Sequence, residues 1–204
     1  YESYGSRLKL VEVVRHPVHL FNNVRDYTAT FERAREFTLS FEVDGEKVPW
    51  FAAKWAEEFV ASSVTDRALL SITRMQSDMI NAIDSINAAQ KPLLVLSFEN
   101  TVLHPQESVN RLEKFLGRQS TRRTKRVLRQ QNLPRQQISA GKATSSYSFT
   151  SSNSSSENEI YKEILSEIQA SGSASAIAEF RSAISTYNSR WLSHLSELEK
   201  LWAE

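Results

Sequence analysis

Leu8-Lys9-Leu10-Val11-Glu12-Val13-Val14-Arg15-His16-Pro17 and Leu93-Leu94-Val95-Leu96-Ser97-Phe98-Glu99-Asn100 are the stretches that decide the fold. Each is a short run rich in Val and Leu, closed abruptly by charged and polar residues. Neither run alternates cleanly, which is the pattern of a strand covered on both faces in a parallel sheet. The first is expected to be a strand over 8–14 and the second over 93–98, with their carboxyl ends side by side. Pro17 suits the first turn of a helix, where its missing N–H would have no partner. Leu20, Val24, Tyr27 and Phe31 then carry helical spacing to about Arg35.

Outward from these strands the period changes several times. Leu39, Phe41 and Val43 alternate, Asp44-Gly45 signals a tight hairpin, and Lys47-Val48 returns before Pro49. Helical spacing resumes from Trp50 to about Val60 and again from Thr65 to Ala89, where Leu69, Ile72, Met79, Ile83 and Ile86 form one stripe. Pro105 to Leu116 reads as a helix stopped by Gly117, and Thr121 to Gln130 as a strongly basic helix. Residues 139–156 are expected to be a loop, since eight of the twelve residues from Ser145 to Ser156 are serine. Two helices, about Glu157–Gln169 and Ser173–Leu201, complete the chain. Strand, helix, a long excursion, then strand and helices describe an α/β fold with parallel strands, rich in helix. Two parallel strands cannot cover both faces of one another. The chain is therefore expected to be a single α/β domain over 1–204, the C-terminal part of a larger enzyme whose N-terminal strands precede Tyr1.

The 204 residues include 25 Lys+Arg, 24 Asp+Glu, four His and no Cys. Without cysteine there is no disulfide, thiolate nucleophile or Cys-based metal site. No apolar run approaches the ~18–20 residues of a membrane span. The near balance of charge conceals a sharp segregation. Residues 1–110 carry 11 basic and 15 acidic side chains, residues 111–142 ten basic against Glu113 alone, and residues 143–204 four basic and eight acidic. A +9 segment between acidic flanks attracts phosphates and other polyanions. It lacks interleaved aromatics and any nucleic-acid-binding motif, so nucleic acid is not the expected partner.

Ligands of parallel sheets sit outside the carboxyl ends of the strands. Arg15 stands at that edge just before a helix start, a good place for a phosphate. Asn23 follows two turns into the helix. Phe98 and Glu99 bring an aromatic face and a carboxylate to the same rim. At these residues the chain resembles a known family, the sulfotransferases that use 3′-phosphoadenosine 5′-phosphosulfate (PAPS). The run VEVVRHPVHLFNNVRDY resembles the family's 3′-phosphate segment, a strand followed by Arg-x-Pro and a helix with a Ser eight residues after the Arg. The run PLLVLSFENTVLHPQESVNRLEKFLG is similar to its later strand, which ends in Tyr-Glu-Asp before a helix ending in Phe-Leu-Gly. The two matches keep the family's order, about 80 residues apart, and cover about 45 residues closely.

The resemblance implies a P-loop-like nucleotide-binding fold of sulfotransferase type. The implied activity is transfer of a sulfonyl group from PAPS to a hydroxyl or amine, with carbohydrate among the acceptors and no metal required. It implies cofactor contacts from Arg15, Asn23 and Phe98, and from Gly141 and Lys142 in ISAGKATSSYSFT, where relatives close a loop over the 3′-phosphate. Region 37–60, with Trp50, Phe51, Trp55 and Phe59, falls where the family inserts acceptor-lining elements. Asn23 replaces the family's Ser, Phe98 its Tyr and Asn100 its Asp. The family's first strand and 5′-phosphosulfate loop are not in this chain, whose five glycines form no Gly-x-x-x-x-Gly-Lys pattern. The catalytic base is accordingly expected before Tyr1, so the chain alone is expected to need upstream residues for activity; His16 and His19 are the weaker candidates for that base, set against a surface or capping role. The competing expectation is a catalytically silent module that binds nucleotide or polyanion in the same pocket.

Overall fold

The computed structural model describes residues 8–31, 39–136, 138, 142–145, 148–150 and 157–191. In chain order the elements are β1 (Leu10–Val14), α1 (Pro17–Thr30), β2 (Ser40–Val43) and β3 (Glu46–Pro49). A 3-10 turn at Trp50–Trp55 leads into α2 (Ala56–Ala61), α3 (Val64–Ala88), β4 (Leu93–Ser97) and α4 (Phe98–Leu103). Then come α5 (Pro105–Leu116), α6 (Arg122–Gln130), β5 (Lys142–Ser145), β6 (Ser148–Thr150), α7 (Glu157–Ser171) and α8 (Ala174–Trp191). The protein is helix-rich α/β with a small parallel sheet. The chain divides into two compact units, one of residues 1–16 and 82–160, the other of 17–81 and 161–204.

The first unit holds the parallel pair. β1 and β4 lie side by side, from Leu10 opposite Leu93 to Val14 opposite Ser97. Their carboxyl ends therefore finish level, as the two apolar runs predict. β4 does not extend through Phe98, which instead begins α4 under an N-cap from Ser97, whose Oγ accepts from the Asn100 amide at 3.3 Å. Val14 and Leu96 are buried, but Val11 and Val13 are 41% and 53% exposed. The expected burial of the first strand on both faces is thus corrected. Side chains alternate along a strand, so Val11 and Val13 share the face left uncovered among the described residues. α5 is tied to the sheet by Arg111, whose Nη2 donates to the Val95 carbonyl at 2.7 Å. It ends at Gly117, which takes the left-handed conformation (φ 66°) that closes helices. Within the Ser-rich stretch, expected to be a loop, β5 instead pairs antiparallel with β6.

The second unit is held by a helical core that includes Phe21, Leu69, Ile168, Phe180 and Tyr187, all buried. Gln76 donates to the Ala183 carbonyl at 2.9 Å and joins α3 to α8. Asp66 accepts from the Ser173 amide at 2.8 Å and joins α3 to the turn before α8. β2 and β3 form the hairpin expected at Asp44-Gly45. Both turn residues have positive φ (52° and 83°), the type I′ geometry that Asp-Gly favours. Behind the hairpin, Val48, Ala52 and Phe59 make a small core of their own, with Phe51 and Trp55 packed against it.

Candidate functional site

The level ends of β1 and β4 bring Arg15 and Phe98 together. The Arg15 guanidinium carbon stands 4.7 Å from the centre of the Phe98 ring. This is a cation–π contact, which holds the cation by the ring's electron-rich face. Phe98, for which the resemblance implies a cofactor contact, packs its ring against the Arg15 guanidinium. The contact limits where the Arg15 guanidinium can sit.

Behind this pair Glu99 is completely buried. Its Oε1 accepts from the His16 backbone N–H at 2.9 Å and its Oε2 from the Ser97 hydroxyl at 2.9 Å. A buried carboxyl is costly unless its oxygens are hydrogen-bonded. Here the two bonds fasten the segment after β1 to the segment after β4, and so fix the edge on which Arg15 and Phe98 stand.

A second arginine completes the cluster. Arg135 lies 6.0 Å from the centre of the same Phe98 ring. The chain after α6 is held there by the Arg135 amide, which donates to the Val102 carbonyl at 2.8 Å. Burial draws the Arg135 guanidinium below its ordinary pKa, and the like charge of Arg15 adds to the effect. Two cations beside one ring repel each other, and an anion placed between them relieves that repulsion. Motif reading missed Arg135; the signal available was its place within the +9 segment.

The other expected site residues are distributed as follows. Asn23 is exposed on α1, in the second unit. Lys142 opens β5; Gly141 lies outside the described residues. His16 and His19 are both buried. His19 is in the second unit's core, its Nε2 2.6 Å from the Tyr161 hydroxyl and its ring edge-on to the tyrosine. The part of region 37–60 that is described, from Leu39, contributes a cleft of about 440 Å³ in the second unit, lined by Trp50, Phe51, Lys54 and Asp78 among others. Trp50 is 59% exposed at its rim. Among the described residues no group of three His, Asp or Glu could hold a metal ion, and no helix is long and apolar enough to cross a membrane. Comparison with family models, with curated proteins and with solved structures returned no match to this chain.

Proposed function

We propose that the protein is a PAPS-dependent sulfotransferase built on a P-loop-like nucleotide-binding fold. The observation that carries this reading is the cluster of Arg15, Phe98 and Arg135 at the carboxyl edge of the parallel strands. A doubly charged 3′-phosphate fits two neighbouring guanidinium groups, since each fork can give two parallel N–H···O bonds. When bound, PAPS supplies an activated sulfonyl group for a hydroxyl or amine acceptor, carbohydrates included. Arg15 and Arg135 would grip the nucleotide end, and Phe98 would keep Arg15 aimed. Gly141 and Lys142 remain part of the proposal as further cofactor contacts.

A second reading keeps the pocket and drops the chemistry: a catalytically silent module binding nucleotide or polyanion. What favours it is the burial of both His16 and His19, which leaves neither imidazole open to an acceptor. Labelled PAPS offered to the protein as expressed from its gene, with a panel of glycans and small hydroxyl and amine acceptors, separates the two. The enzyme reading expects label on an acceptor and release of adenosine 3′,5′-bisphosphate, both lost in Arg15→Ala. Nucleotide binding with no transfer to any acceptor would leave only the silent module.

A further inference from the structure

Helix α6 presents an arrangement that the nucleotide reading does not use. Arg122, Arg126 and Arg129 follow the i, i+4, i+7 spacing that places side chains on one face of a helix. At 1.5 Å per residue they span about 10 Å along the axis. Arg123 and Lys125 flank this stripe, and Arg118 precedes the helix. All six cations are exposed. None of them forms an ion pair among the described residues, unlike Arg25, Arg67 and Arg74, which pair with carboxylates. No Asp or Glu occurs between Glu113 and Glu157. Glu113 itself is engaged, its Oε1 accepting from the Ser120 amide at 2.6 Å. Six like charges repel one another and lower local stability. The sequence keeps them where nothing within the described chain neutralises them.

We infer that this face docks a linear polyanionic polysaccharide, one bearing sulfate or carboxylate groups. Five of the six cations are arginine, whose planar fork pairs bidentately with flat or trigonal oxyanions where lysine offers only a point charge. A lipid surface fits poorly. The exposed apolar side chain of α6 is Val127 at 45%, far short of the apolar face an interfacial helix needs. Nucleic acid also fits poorly. Residues 116–140 contain no aromatic side chain for base stacking, and the whole chain is only +1 in formal charge, whereas nucleic-acid-binding domains are strongly basic. The inference is independent of nucleotide binding at Arg15.

The test measures the affinity of heparin, of a short random-sequence DNA duplex and of phosphatidylserine-containing vesicles for three proteins. These are the wild type, the triple variant Arg122→Gln, Arg126→Gln, Arg129→Gln, and a control that removes three exposed cations elsewhere, Lys47→Gln, Lys162→Gln, Arg181→Gln. Glutamine matches arginine closely in helix propensity, so circular dichroism should be unchanged. Heparin should bind the wild type more tightly than duplex or vesicles do. The α6 variant should lose roughly tenfold or more in heparin affinity and show a shallower dependence on salt, because fewer counterions are released. The control's heparin affinity and the α6 variant's affinity for adenosine 3′,5′-bisphosphate should stay within about twofold of wild type, since exposed charges are screened by salt. Equal loss in the control, no loss in the α6 variant, or tighter binding to duplex or vesicles would each overturn the proposal.

Discussion

At the scale of single residues, the site rests on Glu99 as much as on Arg15. Its buried carboxyl accepts from the His16 amide and the Ser97 hydroxyl, so it couples the ends of both strands. Glu99→Ala would leave those donors without this acceptor in a place water does not reach. Such a loss costs about 1–3 kcal/mol. Urea unfolding should show a lower midpoint with an unchanged slope, and an unchanged midpoint would remove Glu99 from the framework. Arg15 and Phe98 were legible in the sequence because each directly adjoins a strand end, and strand ends are where parallel sheets place ligands. Arg135 was not legible in the same way. It reaches Phe98 only because the chain folds back after α6 and docks its amide on Val102, a long-range contact that no local periodicity encodes.

At the scale of elements, turn chemistry and helix stops read well. Asp44-Gly45 forms the expected hairpin, Pro105–Leu116 ends at Gly117, and the break at Lys91-Pro92 separates α3 from β4. These signals are local, set by residues that permit or forbid particular backbone angles. Burial read less well, because whether Val11 and Val13 are covered depends on neighbours rather than on the strand itself. The α7–α8 junction gives a direct test of packing. A Cβ added at Gly172 would lie 2.8 Å from the Ile168 carbonyl oxygen, 3.1 Å from Ile177 Cγ1 and 3.2 Å from Leu69 Cδ1. The nearest atom is backbone and cannot rotate away. Gly172→Ala should therefore destabilise the protein by about 1–3 kcal/mol, as overpacked cores do. Thermal melting would register it as a lower Tm; a Tm equal to wild type would mean the junction has slack.

At the scale of the whole molecule, charge is segregated along the chain. A chain of net charge +1 concentrates ten basic residues against one acid in residues 111–142, and the described part of that segment supplies both the α6 stripe and Arg135. Composition made the segregation legible at once. It could not divide the cations between an exposed helix and a half-buried cluster beside Phe98, because that division is made by the docking of the chain after α6. The central claim is that Arg15, steadied by Phe98 and accompanied by Arg135, receives the 3′-phosphate of a nucleotide. Calorimetric titration of adenosine 3′,5′-bisphosphate into wild type, Arg15→Lys and Arg15→Ala tests it most directly. Loss of a charge-assisted contact costs about 1.5–3 kcal/mol, so both variants should bind roughly 10- to 150-fold more weakly. Lysine should not rescue, since the planar fork is gone. Equal affinity of all three proteins for the bisphosphate would contradict the account.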